Sequence, residues 1–297
     1  MFNRSSKCAG AVLMLLLAFS QPAIAQTGNA TDTVYWPGYV ATYVPLSLFL
    51  PQSLRPACKL LTEGDLIPAE NAFATELRFH PNDLAAYVGY LQAARGHRDV
   101  LLQKYEQEAK ASESPVAAFK LAMLAYYQLG EQWHDYSPSR ATQKRHLASL
   151  ASWGFQRAFS QTQEPIAGFM LAGSVPYLKP APGKNDLGIY EVMLKSLGGR
   201  TVYQAYLQAK NGNWEAPQPP IPLLSKDKLA IFKMIVGMIY SQHGGQRGVV
   251  TGHHVSGQLI YQTTYAPLTA EQEQAMAYLK EWSRRIGAAI KADKPTQ

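Results

Sequence analysis

A mainly α architecture of stacked antiparallel helical hairpins, with a small β-hairpin inserted near 246–265, is what three features of the sequence predict. Leu84, Tyr87, Val88, Leu91 and Ala94 recur at the spacing of one helix face, and Leu101, Leu102, Tyr105 and Ala109 repeat that spacing. The run 115–129 is apolar on almost every side except at Lys120 and Gln128, and a helix hydrophobic all round needs neighbours on several faces. Leu259, Tyr261 and Thr263 alternate instead, which is the period of a strand.

The chain of 297 residues is long enough for one large domain or two ordinary ones, and it carries no low-complexity tract. Residues 1–25 form a distinct start, with Arg4 and Lys7, an apolar core over 11–19, and Ala23-Ile24-Ala25 in the small-x-small pattern of a signal peptide cleavage site. Export with cleavage near Ala25 is therefore expected, leaving a periplasmic or secreted protein with no transmembrane segment, since the apolar core is too short for a permanent span. Cleavage would lower the formal net charge from +7 to +5. A mild basic excess fits weak contact with an anionic envelope surface. No dense Lys/Arg stripe with interleaved aromatics appears, so no nucleic acid is expected as a partner. Cys58 remains as the only cysteine, which excludes an intramolecular disulfide and reads as a small buried residue.

Residues 26–67 read as an extended segment rich in proline and aromatics, packed on the helical array. Tyr35, Trp36, Tyr39, Tyr43 and Phe49 are broken up by Pro37, Pro45, Pro51 and Pro56, which rules out a long helix. An aromatic groove for a sugar or peptide is the functional alternative there. The helical region 68–175 opens with Pro68 at a first helical position. Ala69, Ala72, Phe73 and Leu77 form its inner face, and the helix ends near His80 because Pro81 disfavours helix in the residue before it.

The run 73–82, Phe-Ala-Thr-Glu-Leu-Arg-Phe-His-Pro-Asn, resembles the end of a tetratricopeptide repeat, and Tyr87, Tyr90 and Gly96 resemble the start of the next. Ala109, Ala118, Leu121, Ala122 and Gly130 fall near the small and large positions one repeat later, and 155–159 with Ile166, Phe169 and Ala172 echo the pattern. The resemblance covers about a third of the chain. It implies an array that binds a peptide or protein partner on its concave face, with Tyr87, Tyr90, Tyr126 and Tyr127 as candidate contacts.

Beyond this, 139–161 reads as a long helix with Leu147, Leu150, Ala151, Gly154 and Ala158 along one side and a basic opening of Arg140, Lys144, Arg145 and His146. The proline-, glycine- and lysine-rich run 175–186 marks a boundary, and 187–297 forms a C-terminal helical region. There, one helix stops at Gly198-Gly199, a second carries Val202, Tyr206 and Ala209, and the proline-rich run 214–222 is a connector. Ser225 can cap the apolar helix that follows. Thr269 and Gln272 make a capping box for a last helix with Ala275, Met276, Leu279, Trp282, Ile286 and Ile290 inward and Glu281 beside Arg285.

Segment 241–257 holds five glycines and the histidines His243, His253 and His254, a set whose imidazoles suit zinc or copper. Adjacent histidines in a strand point to opposite faces, so a partner-facing hairpin without metal is the competing reading. A lone Glu131-x-x-His134 match lacks the second copy that a di-iron bundle uses. No Gly-x-Ser-x-Gly elbow, phosphate loop or His-Glu-x-x-His motif occurs, and no cofactor or catalytic residue is indicated. The chain thus reads as an exported binding or scaffolding protein of a bacterial-type envelope. The alternative is an envelope enzyme or metal-binding protein that uses the Gly/His-rich loop.

Overall fold

A computed structural model describes residues 34–35, 46–131, 138–174, 187–244, 247–253, 259–264 and 267–292. The fold is mainly helical. It divides into two compact units, one holding Ala41–Pro180 and the other Ala181–Gln297 together with Pro22–Val40.

In the first unit the helices are α1 (Arg55–Glu63), α2 (Leu66–Phe79), α3 (Leu84–Ala93), α4 (Arg98–Ala111), α5 (Pro115–Glu131), α6 (Pro138–Thr162) and α7 (Pro165–Ser174). Helices adjacent in sequence pack on one another, except that α3 meets α4 through the short 3-10 turn Ala94–His97; α3 also touches α1, α5 and α7. That central position explains why Leu84, Ala85, Ala86, Val88, Gly89, Leu91, Gln92 and Ala93 of α3 are all buried. Asp83 starts this helix by accepting a 3.0 Å hydrogen bond from the Ala86 N–H. Gly89 allows α2 to approach closely, because a Cβ there would lie 2.3 Å from the ring of the fully buried Phe73. Gly154 does the same between α6 and α5, where a Cβ would meet the Ala118 carbonyl oxygen at 2.4 Å. The all-round apolar character of α5 is realised: every residue from 117 to 129 is buried except Lys120. Phe119 and Tyr126 of α5 both meet the Phe155 ring edge-on, at 5.6 and 6.0 Å.

The extended reading of 26–67 needs correction where the structure describes it. Arg55–Glu63 is helical, since Pro56 occupies the first turn, where its missing N–H leaves no hydrogen bond unmade. Gly64 closes α1 in the left-handed conformation at φ 87°. The next helix starts at Leu66, with Pro68 inside its first turn, and Cys58 is fully buried.

In the second unit the helices are α8 (Leu187–Asn211), α9 (Lys226–Gly244) and α10 (Ala270–Ala292), with α9 packed against both others. The helical path of α8 is interrupted at Gly199 (φ 76°, ψ 176°), as the Gly198-Gly199 pair predicts. Short strands β1 (Val34–Tyr35), β2 (Arg247–His253) and β3 (Leu259–Thr264) pair antiparallel in the order β1-β2-β3, with an irregularity between Val250 and Gly252. The capping box is formed reciprocally: the Gln272 N–H donates to Thr269 Oγ1 (3.2 Å) and the Thr269 N–H to Gln272 Oε1 (2.9 Å). Glu281 pairs with Arg284 rather than with the expected Arg285, whose guanidinium instead donates to the Pro219 carbonyl at 3.3 Å. Tyr278 ties the same proline-rich connector to α10 by donating to the Pro217 carbonyl at 2.8 Å. Among the described residues no helix is long and apolar enough to cross a membrane.

Candidate functional site

The four candidate tyrosines separate into two kinds. Tyr126 and Tyr127 lie on α5, a helix enclosed on all sides, and are only 3% and 2% exposed. Tyr127 donates to the Val88 carbonyl at 3.5 Å and lies under the Arg98 guanidinium at 4.5 Å, so both rings belong to the core and neither presents a contact surface. Tyr87 and Tyr90, one turn apart on α3, remain half-buried. Beside them sits a cation that the sequence marks only as the odd residue of α5. Lys120 Nζ lies 4.4 Å from the centre of the Tyr105 ring, 5.3 Å from that of Tyr87, and donates to Glu108 Oε2 at 2.8 Å. Ring faces are electron-rich, so two phenols and a carboxylate together stabilise the partly desolvated ammonium. Burial, then Glu108 and Tyr90, pushes the Tyr87 phenol above its ordinary value. Burial and then Glu70 does the same to Tyr90, and burial with its tyrosine neighbours raises Tyr105 further. The accessible part of this cluster is a neutral, hydroxyl-bearing aromatic face next to carboxylates.

A second aromatic-polar cluster lies in the second unit. Tyr206 OH and Lys210 Nζ, one turn apart on α8, both donate to Glu191 Oε1 at 2.8 Å. Fifteen residues of straight helix would span roughly 22 Å, so Tyr206 reaches Glu191 only because the chain turns at Gly199. Burial and the Glu191 charge drive the Tyr206 phenol far up. Trp214 follows with φ 64°, directly after Asn213 at φ 52°; the left-handed region suits asparagine but is strained for tryptophan. The Trp214 ring is held between Tyr206, Tyr278 and His243, the last meeting it edge-on at 5.0 Å. Burial and then Lys210 lower the His243 pKa, against the opposing pull of Glu191 and Glu271. The imidazole is thereby kept neutral at neutral pH. Among the described residues His243 Nε2, Trp214 Nε1, Trp282 Nε1 and Gln218 Oε1 are buried without a hydrogen-bond partner, an unusual concentration of unsatisfied groups.

Of the three candidate metal ligands, His243 is thus placed in this cluster, whereas the side chains of His253 and His254 lie outside the described residues. Among the described residues no group of three His, Cys, Asp or Glu side chains is arranged to hold a metal ion. His134 also lies outside them. Sequence reasoning passed over Glu191, Tyr206, Lys210 and Trp214 as a set. The signal available was the Gly198-Gly199 break, which folds one half of α8 towards the other.

No family model, no curated protein and no solved structure matches this chain.

Proposed function

We propose that the chain is an exported helical-repeat protein of a bacterial-type cell envelope that binds or scaffolds a peptide or protein partner. In this reading the first unit is a tetratricopeptide-like array, and the second carries a β-hairpin insertion near 246–265. The observation that carries it is the accessibility of Tyr87 and Tyr90 on α3, a helix whose other positions are almost all buried. A half-exposed aromatic pair on a rigid, centrally packed helix is the kind of surface that gives contact area at small entropic cost. Two features support the array. Contacts run mostly between sequence neighbours, and α3 packs on α1 and α5, two helices away, as repeated hairpins do. Arg4, Lys7 and the apolar stretch 11–19 support export.

The test is quantitative capture from envelope extracts by the wild-type chain and by a Tyr87→Ala/Tyr90→Ala variant of matched circular dichroism and melting. A partner enriched by the wild type and reduced at least about tenfold by the variant would sustain the proposal. Equal enrichment by both, or none by either, would overturn it.

A further inference from the structure

We infer that Glu70, Tyr90 and His97 form the subsite that takes a lysine or arginine side chain of the peptide partner. One turn away on α3, the structure shows the same chemistry satisfied from within the chain. At Tyr87 the cation is Lys120, whose Nζ stands 5.3 Å from the centre of that ring and 4.4 Å from the centre of Tyr105 while donating to Glu108 Oε2 at 2.8 Å. Phenol faces and a carboxylate together hold an ammonium there. Tyr90 repeats the two kinds of part. Its ring is half-buried on the same ridge of α3, and Glu70 of α2 lies near enough for its charge to act on the phenol. Among the described residues no lysine or arginine lies over the Tyr90 ring, and none pairs with Glu70.

The partner that Glu70 does have is the His97 imidazole, with Nε2 at 3.3 Å from Oε1. That contact is an ion pair only with the imidazole protonated, and it engages one carboxylate oxygen. A guanidinium forks onto both oxygens and an ammonium is charged at every physiological pH, so either competes well for the carboxylate. The Glu70 side chain is 24% exposed, which leaves it reachable from solvent yet partly desolvated, where a charge pair counts for more than on an open surface. Ile67, one turn before Glu70 on α2, and Val100, three residues after His97, are exposed apolar side chains that suit the methylene stem of lysine or arginine. Sign decides against the other side chains of a peptide. An acidic group there would face Glu70, and an apolar one would desolvate the carboxylate with nothing to compensate it. The inference rests on the peptide-binding reading of Tyr87 and Tyr90 and specifies what that surface selects.

An array of N-acetylated random dodecapeptides tests it, probed with the full chain and with variants of matched circular dichroism. Acetylation removes the terminal amine, so lysine and arginine are the permanent cations on offer. The expected result is a set of peptides bound by the wild type and weakened about tenfold or more by Tyr87→Ala/Tyr90→Ala, with lysine or arginine enriched at one aligned position. That enrichment is read on the wild type and needs no variant to fold. Glu70→Gln should weaken the same peptides about tenfold, and Glu70→Lys should shift the enrichment at that position to aspartate or glutamate. Glu76→Gln, whose carboxylate pairs with His80 at the far end of α2, should leave binding unchanged. Peptides that depend on Tyr87 and Tyr90 but show no such enrichment, or that bind Glu70→Gln as tightly as the wild type, would overturn this inference and leave the peptide-binding reading standing. Equal weakening by Glu76→Gln would also overturn it, assigning the preference to diffuse charge. An array in which no peptide depends on Tyr87 and Tyr90 would overturn both together.

Discussion

Lys120 in the first unit and His243 in the second are both nitrogen bases drawn in among aromatic rings, and their surroundings differ in completeness. The ammonium of Lys120 has two ring faces and the Glu108 carboxylate. The imidazole of His243 has an edge contact with Trp214, a buried Nε2 without a partner among the described residues, and a pKa lowered by burial and then by the cation Lys210. Around Lys120 the burial of charge is compensated locally. Around His243 the group is neutral but its Nε2 has no hydrogen-bond partner among the described residues, and the neighbouring backbone at Asn213 and Trp214 is held in left-handed conformations. Fully partnered polar groups rigidify a core, whereas unsatisfied ones are retained where apolar packing is strong enough to tolerate them.

That packing in the second unit is chiefly Trp282, stacked with Tyr206 at 6.3 Å and edge-on to Phe232 at 5.6 Å. Trp282→Ala should therefore produce the largest loss, about 3–5 kcal/mol in chemical denaturation followed by circular dichroism. Trp282→Phe should cost far less, because the indole N–H it removes is buried without a partner among the described residues. A loss in the phenylalanine variant equal to that in the alanine variant would show that Nε1 has a partner after all.

In the first unit, Gly89→Ala drives a Cβ into the Phe73 ring and should cost about 1–3 kcal/mol, partly recovered by adding Phe73→Leu. Lys120→Met should cost about 1–2 kcal/mol, since it removes the ring contacts and leaves Glu108 alone. A double-mutant cycle with Glu108→Gln should then give a favourable coupling, and zero coupling would place Lys120 on the same footing as His243. The smallest effect is one of pH. Since burial depresses the His243 pKa below 6.5, the unfolded chain takes up the proton first as pH falls. The stability associated with the neutral imidazole is present above about pH 6.5 and declines as the pH drops towards the folded-state value. His243→Gln should flatten that part of a stability-versus-pH curve measured by denaturant midpoint, and Lys120→Met should not.

Much of the helical layout was legible from apolar spacing. The enclosure of α5, the inner positions Ala69 and Phe73, the Gly199 break and the Thr269–Gln272 capping box all express local rules of periodicity, glycine conformation and side-chain capping. The helix at Arg55–Glu63 was missed because Pro56 reads as a breaker unless the first turn is already known. Glu281 chose Arg284 because Arg285 was drawn to the Pro219 carbonyl, a partner 66 residues away that no spacing rule within one helix can see. The candidate sites were less legible still. Tyr90 and Tyr126 look alike in sequence, and only the neighbours of α3 and α5 separate a half-exposed ring from a core ring.

The sequence by itself determined the mainly helical class, the apolar stripes, the caps and the acid-free charge of α6, since each depends on residues within a few turns of one another. Tertiary structure alone decided which tyrosines reach solvent, that Lys120 would find Glu108, and that Glu191, Tyr206, Lys210, Trp214 and His243 would meet around one buried cluster. The physical reason is that burial and electrostatic partnership are properties of packed neighbours, and those neighbours come from distant parts of the chain.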